Sequence, residues 1–173
     1  EGQDCIKILI IGDIAVGKSS LMLKYTDDSF NDFLTGTAGI DLKRKNVNVD
    51  GVEYKVLIYD TPGHERYRQF AKNQIKTMNG IFIVFDVTEK ASYNNISSWM
   101  KSIHDNCQAG ASVIIVGNKI DLENMRQVTT EEGEEIASTN KLKYFETSAF
   151  SGKGIDSAFD YVVREAAVKR KLR

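Results

Sequence analysis

A glycine-rich loop between an apolar run and an amphipathic segment is the feature that most constrains the fold of this chain. The loop, Gly12–Ser19, reads GDIAVGKS and matches the phosphate-binding pattern G-x-x-x-x-G-K-[ST] at every fixed position. The apolar run 6–11 precedes it and the segment 20–25 follows it, so the sequence predicts a strand, a loop and a helix in that order. A glycine-bearing turn that binds nothing is the alternative, and the flanking elements make it the weaker interpretation.

Each fixed residue of this loop has a chemical role in holding phosphate. The glycines let successive backbone N–H groups point at phosphate oxygens, and the helix that begins near Lys18 adds the positive partial charge of its N-terminus. Lys18 supplies a full charge to the terminal phosphates, for binding and for catalysis, and the Ser19 hydroxyl is a hard oxygen ligand suited to Mg²⁺. The nucleotide contacts expected from this loop are Ala15, Val16, Gly17, Lys18, Ser19 and Ser20.

A second motif, NKID at Asn118–Asp121, selects the base. It directly follows the apolar run 113–116. The Asp121 carboxylate can accept hydrogen bonds from both N1–H and the exocyclic amine of guanine, a donor pair that adenine lacks. Asn118 can tie this loop to the phosphate loop, and the stem of Lys119 can lie along the base. NKID alone is also typical of an ordinary strand-end turn; together with the phosphate loop it predicts a guanine nucleotide, GTP or GDP.

A third motif, TSA, follows the strand-like run 143–146. The backbone N–H of Ala149 is placed to donate to guanine O6. We therefore expect Ser148, Ala149 and Phe150 to line the base site.

Two further loops are predicted to respond to the γ-phosphate. Asp60–Gly63 reads DTPG; Asp60 would hold Mg²⁺ through a water, and the Gly63 N–H would reach the γ-phosphate during catalysis. Thr37 offers a hydroxyl and a carbonyl for the same ion. A threonine in a polar loop is usually just solvated, so the assignment of Thr37 depends on its position between the phosphate loop and Asp60. Loops ordered by γ-phosphate and Mg²⁺ and released after hydrolysis form a two-state switch.

The bulk composition excludes several classes of protein. A chain of 173 residues with a net charge of −1 fits one domain and gives no electrostatic case for binding nucleic acid or a membrane surface. Cys5 and Cys107, the only cysteines, suit a reducing cytosol and offer neither zinc spacing nor a disulfide framework. No signal peptide or apolar span is visible. The first residue is Glu1 rather than Met, so we expect the native ends to be missing.

Alternation of strand-like and helical runs predicts an α/β fold with a mostly parallel sheet. The turn signal Asp50-Gly51 makes one pair of strands an antiparallel hairpin. Trp99 lies on the apolar face of a predicted helix and is assigned to the core. The predicted strands are about 5–11, 39–49, 53–60, 81–85, 112–117 and 142–147, and the predicted helices are about 18–27, 92–107, 130–139 and one from 154. In a doubly wound sheet the motifs above fall at the edge where ligands bind.

The chain resembles a small GTPase of the Ras superfamily, most closely the Rab branch, over essentially all of its 173 residues. The resemblance is carried by LKYTDDSF at 23–30, GIDLK at 39–43, DTPGHERYR at 60–68 and VGNKIDLE at 116–123. It implies one P-loop G domain over 1–173, with six strands, one antiparallel edge strand and helices on both faces. It also implies that Phe30, seven residues before Thr37, packs edge-on against guanine.

The resemblance further implies a function and a location. The expected function is a GTP/GDP switch of vesicle traffic with slow intrinsic hydrolysis, acting as a monomer on the cytoplasmic face of endomembranes. Rab proteins usually continue into a tail that ends in prenylated cysteines, which this chain does not contain, so we expect that the tail is absent here and that membrane attachment depends on it. The basic end 169–173 is interpreted as a solvated helix terminus.

The surface expected to contact partners departs from the Rab pattern. Effectors, an exchange factor and an activating protein are expected to bind residues 30–45 and 60–78. Rab proteins tend to present aromatic residues from the two switches and the hairpin between them, and the matching positions here are Leu42, Tyr59 and Gln74. Only one is aromatic, so we expect that ordinary Rab effectors do not recognise this surface.

Five positions near the nucleotide depart from the family and bear on hydrolysis or base binding. His64 stands where Ras-like proteins carry the glutamine that orients the attacking water, and with Pro62 it gives DTPGH, which resembles translational GTPases that use histidine for hydrolysis. Ile14 adds bulk where an arginine finger would enter, and Ala15 replaces a glycine, with a backbone cost if its φ is positive. Phe150 stands where lysine is usual.

One other function remains open on these residues, and a third is disfavoured. A GTP-dependent binding module with negligible hydrolysis follows if His64 and Ile14 disable the water site. A P-loop kinase would need a lid over an acceptor substrate, and the chain has no spare segment for one.

Overall fold

The computed structural model describes residues 5–26, 41–61 and 68–171. Within these residues six strands form one sheet in the order β2-β3-β1-β4-β5-β6. The strands are β1 (Cys5–Gly12), β2 (Asp41–Val49), β3 (Val52–Asp60), β4 (Gly80–Asp86), β5 (Ser112–Asn118) and β6 (Lys143–Thr147).

The sheet is parallel except at one edge. β1 pairs in parallel with β3 on one side and with β4 on the other, β4 pairs in parallel with β5, and β5 pairs in parallel with β6. β2, at the edge, is antiparallel to β3. The hairpin turns at Asp50 and Gly51, which both have positive φ (52° and 87°), and Asn48 Oδ1 accepts a hydrogen bond from the Gly51 N–H over 3.0 Å. The predicted α/β sheet of six strands with one antiparallel edge strand is confirmed.

In the described part of the chain, five helices lie between strands and one follows β6. They are α1 (Lys18–Thr26), α2 (Arg68–Ile75), α3 (Lys90–Asn94), α4 (Ile96–Asn106), α5 (Thr130–Thr139) and α6 (Ile155–Lys171), with a short 3-10 turn at Glu123–Met125. α5 begins with a capping box between Thr129 and Glu132.

Two features of the helices differ from the sequence prediction. The sequence predicts a single helix over 92–107, but the structure has two helices, α3 and α4. They are separated at Asn95, whose N–H donates to the carbonyl oxygens of both Ala91 and Tyr93. The second is α2, which the sequence did not predict.

The core lies on both faces of the sheet because successive strand residues point to opposite sides. In β1, Ile8 and Ile10 pack with α1 and α6, whereas Leu9 and Ile11 pack on the face that α2, α4 and α5 cover. Helices on both faces are therefore confirmed. Trp99 is 3% exposed, as predicted for a core residue. None of the helices in the described ranges is both long and apolar enough to cross a membrane.

The parallel register brings several polar side chains to one edge of the sheet. Asp60 at the end of β3 pairs with Ile10 of β1, and Asn118 at the end of β5 pairs with Asp86 on one side and Thr147 on the other. The carboxyl ends of the parallel strands thus surround the loop that follows β1, which is where open α/β sheets bind ligands.

Candidate nucleotide site

The loop after β1 is fixed by glycines that leave no space for a side chain. A Cβ at Gly12 would lie 2.3 Å from the carbonyl oxygen of Val84, and a Cβ at Gly17 would lie 2.3 Å from Nδ2 of Asn118. Ala15 has φ of 67°, a left-handed conformation that costs an L-residue about 1–2 kcal/mol. A backbone cost is predicted at Ala15 if its φ is positive, and the structure shows that it is positive.

Lys18, the first residue of α1, is a buried cation inside this loop. Its side chain is 6% exposed, and its Nζ donates to the carbonyl oxygen of Asp13 over 2.8 Å. Burial lowers the pKa of Lys18, and the carboxylates of Asp60 and Asp13 act in the opposite direction. A cation withdrawn from water beside a helix N-terminus is suited to an anionic ligand such as phosphate.

Ser19 and Asp60 come together beside Lys18. The Ser19 hydroxyl donates to Oδ2 of Asp60, which is 4% exposed at the end of β3. A hydroxyl and a carboxylate are hard oxygen donors of the kind that Mg²⁺ prefers, so these two side chains fit the predicted ion. Thr37, the third predicted ligand, lies outside the described residues.

Asn118 joins the phosphate loop to the two loops predicted to bind the base. It is 1% exposed; its Nδ2 donates to the carbonyl oxygen of Val16 over 2.9 Å, and its Oδ1 accepts from the Thr147 hydroxyl over 2.9 Å. The hydrogen bond predicted between this loop and the phosphate loop is present. The bond to Thr147 was not predicted, although Thr147 stands directly before the Ser148-Ala149 pair.

Lys119 reaches from the NKID loop to the phosphate loop. Its φ is 71°, and its Nζ donates to the carbonyl oxygen of Ala15 over 2.7 Å and lies 2.9 Å from Asp86 Oδ2. Sequence reasoning missed Asp86. The available signal was its position, because Asp86 ends β4 as Asp60 ends β3.

Asp121 and Ser148 connect the second and third motifs. The Ser148 hydroxyl donates to Asp121 Oδ1 over 2.7 Å and also accepts from the Ser151 N–H over 3.0 Å. Ser148 is fully buried, whereas Asp121 is exposed and open to a ligand. This hydrogen bond holds the carboxylate predicted to read guanine.

A polar network lies behind the base loops, and the sequence did not predict it. Glu146 accepts hydrogen bonds from Arg126, from the Tyr144 hydroxyl over 2.7 Å and from the Thr130 hydroxyl over 3.0 Å. Burial acts to raise the pKa of Glu146, but these hydrogen bonds outweigh it and hold that pKa below its ordinary value. Arg126 also donates to the carbonyl oxygen of Val128 over 2.7 Å. The network therefore connects the segment after NKID, which contains Arg126, to β6, the strand that precedes Ser148 and Ala149.

Of the other predicted residues, Ala149 is half-buried, several are exposed, and some lie outside the described ranges. Ile14 is 62% exposed and Phe150 is 85% exposed, so both side chains lie largely in solvent. Leu42 is 40% exposed and pairs across the hairpin with Tyr59. The residues outside the described ranges are Phe30, Thr37, Pro62, Gly63 and His64.

Comparison with known proteins agrees with the motifs. A model of the Ras family matches residues 7–168. Ras-related protein Rab-13 of Rattus norvegicus is 38% identical over 163 residues, which cover 94% of this chain and 80% of that protein. Ras-related protein RABE1e of Arabidopsis thaliana is 39% identical over 168 residues (96% and 76%), and GTP-binding protein yptV2 of Volvox carteri is 39% identical over 165 residues (95% and 76%).

Proposed function

This chain belongs to the Ras family of small GTPases, and we propose that it is a Mg²⁺-dependent guanine-nucleotide switch of vesicle traffic whose hydrolysis of bound GTP is slow. The observation that carries the proposal is the pair of buried hydrogen bonds of Asn118 to Val16 and Thr147. Through them the phosphate-binding, NKID and TSA motifs, which are far apart in the sequence, form one site.

Guanine selection is assigned to Asp121. Its carboxylate accepts from Ser148 and is exposed, so it retains capacity for the two donors of a guanine edge. Adenine would leave that capacity unused, which favours GTP and GDP over ATP and ADP. The Ala149 N–H is assigned to guanine O6, and Phe30 and Phe150 are assigned to the sides of the base.

The phosphate end of the site is assigned to Lys18, Ser19 and Asp60. Lys18 is held by the Asp13 carbonyl, and it supplies positive charge to the terminal phosphates from a position shielded from water. Ser19 and Asp60, with Thr37, would hold Mg²⁺, which when bound neutralises charge that develops on the phosphate oxygens. Gly63 is assigned to the γ-phosphate through its N–H.

Slow hydrolysis is inferred from His64 and Ile14. A histidine replaces the glutamine that orients the attacking water in relatives, and Ile14 projects from the phosphate loop with 62% of its surface exposed. A β-branched apolar group there hinders both the water and an incoming arginine side chain. Single-turnover hydrolysis of bound GTP separates a slow GTPase from a binding module with negligible hydrolysis.

The same family membership supports a set of partners and a location. We propose that residues 1–173 form one G domain that acts as a monomer. Effectors, an exchange factor and an activating protein would bind residues 30–45 and 60–78, where Leu42 is exposed. The location proposed for the protein is the cytoplasmic face of endomembranes, through a lipidated tail as in Rab proteins.

The test of the function is nucleotide preference. Equilibrium binding of fluorescent GDP, ADP and xanthosine diphosphate would be measured for the wild type, Asp121→Asn and Ser148→Ala. The wild type should bind GDP and reject ADP, and Asp121→Asn should shift preference toward the xanthine nucleotide, because an amide can donate to a carbonyl where the carboxylate only accepts. Ser148→Ala should weaken GDP binding without changing which base is preferred. Equal affinity of the wild type for ADP and GDP would refute the assignment.

A further inference from the structure

Asp13 is a variable position of the phosphate-loop pattern, yet its carboxylate is held by a distant helix. Nδ2 of Asn95, the residue that caps α4, donates to Asp13 Oδ2, and the indole Nε1 of Trp99 donates to Asp13 Oδ1 over 3.0 Å. Asn95 and Trp99 are separated by one helical turn, so the two donors lie one above the other and each serves one carboxylate oxygen.

The Trp99 side of this contact is rigid. The indole is 3% exposed and packs in the cluster that contains Ile75 of α2 and Ile11 of β1. A buried indole N–H needs an acceptor, and a carboxylate is a strong one. The orientation of Trp99 is thus fixed by packing on one side and by Asp13 on the other.

The backbone of Asp13 contacts the cation of the phosphate loop, Lys18. Its backbone carbonyl accepts from Lys18 Nζ over 2.8 Å. A single residue therefore connects the cation of the site, through its main chain, to α4, through its side chain. Displacement of the Asp13 side chain would displace the carbonyl that holds Lys18.

We propose that Asp13 is a positioning residue that fixes the phosphate loop against α4, with Asn95 and Trp99 as its anchors, so that Lys18 is held ready for the nucleotide phosphates. This inference rests on the proposed guanine-nucleotide site and adds to it a support on the far side of the loop. The Asp13 carboxylate is engaged by Asn95 and Trp99, so its proposed action on the nucleotide is indirect, through Lys18 and the loop backbone.

The experiment compares the rate at which a fluorescent GDP analogue leaves the Mg²⁺-loaded protein in Asp13→Asn, Trp99→Phe and the double variant. Hydrogen bonds to a charged group are among the stronger ones, so we expect each single variant to release GDP about tenfold faster or more. The double variant should be no faster than the faster single one, because both changes weaken the same contact: Asp13→Asn removes the charge of the acceptor and Trp99→Phe removes the donor. Asn95→Ala changes an exposed side chain and should give a smaller increase, about threefold, without threatening folding.

The fluorescence of Trp99 and a control variant distinguish a positioning role of Asp13 from a general effect on stability. Trp99 is the only tryptophan, so its emission reports directly on the indole contact, and it should shift in Asp13→Asn with or without nucleotide. Ile103→Val removes one methylene from the same face of α4 without touching Asp13, and should lower stability while leaving the emission and the GDP release rate unchanged.

The outcomes distinguish the two proposals. If the wild type binds no GDP, the proposed function fails, and the role of Asp13 fails with it. If the wild type binds GDP but Asp13→Asn releases it at the wild-type rate, only the role of Asp13 is refuted. Equal acceleration of release by Ile103→Val would also refute it, because stability alone would then explain the effect.

Discussion

Replacement of Gly133 by alanine should destabilise this protein, although the same change in an exposed helix is stabilising. Gly133 lies within α5, where glycine costs about 1 kcal/mol relative to alanine. A Cβ added there would, however, lie 2.2 Å from Cζ and 2.5 Å from the hydroxyl oxygen of Tyr144. Both distances are far below van der Waals contact, so the tyrosine ring would have to move.

The ring of Tyr144 is held on several sides. Its hydroxyl donates to Glu146, its face stacks on Phe85 with centroids 6.2 Å apart, and a Cβ at Gly117 would also lie only 2.3 Å from that hydroxyl. Overpacking costs about 1–3 kcal/mol, and loss of a hydrogen bond to a carboxylate costs about 1.5–3 kcal/mol. After subtraction of the gain in helix propensity, we expect Gly133→Ala to lower the free energy of unfolding by about 1.5–5 kcal/mol.

Urea denaturation at a fixed excess of GDP and Mg²⁺ measures this change, because bound nucleotide itself adds to stability. Ser138→Ala, an exposed position on the same helix, is the control and should change stability by less than about 0.5 kcal/mol. In a Tyr144→Ala background the clash is absent, and Gly133→Ala should then be stabilising by up to about 1 kcal/mol. A Gly133→Ala protein as stable as the wild type would show that the ring moves freely and that the reasoning is wrong.

Three further results are expected. Ser19→Asn should weaken GTP binding more than GDP binding, because Ser19 would be a ligand of Mg²⁺ and the triphosphate carries more negative charge for that ion to neutralise; an unchanged ratio of the two dissociation constants would contradict this. His64→Gln should recover little GTP hydrolysis in single turnovers, and His64→Gln with Ile14→Ser should recover more; fast hydrolysis in the wild type that is abolished by His64→Ala would reverse the assignment. The pKa of Glu146 is lowered in the fold, so its contribution to stability is present above the ordinary glutamate pKa and is lost as the pH falls through the lowered one; Glu146→Gln should flatten this part of the measured acid-denaturation profile.

The sheet could be predicted from the sequence because local pattern determines it. β4, which contains the apolar run 81–85, is buried at all seven of its residues, and the Asp50-Gly51 pair has the positive φ values that its turn requires. The phosphate-binding and NKID motifs follow parallel strands, so both lie at the carboxyl edge of the sheet independently of which side chains the loops contain.

What could not be predicted is the choice of partner between distant residues. Nothing in the sequence near Asp13 indicates that its carboxylate is bound by Asn95 and Trp99, which are 82 and 86 residues away. Glu146 and Arg126 are likewise ordinary surface residue types that become paired only in the fold. Hydrophobic periodicity identifies the buried face of an element, whereas polar pairing depends on register and loop geometry.

The carboxamide of Asn118 has a consequence for how the nucleotide leaves. Its two ends hold Val16 in one loop and Thr147 in another, and both bonds are out of reach of water. A loop that moves alone leaves one of these groups unsatisfied, at a cost of about 1–3 kcal/mol, which corresponds to a factor of roughly 5–150 in rate. We therefore expect the site to empty by a concerted opening, in which displacement of any one of the three loops loosens the contacts to the base and to the phosphates together.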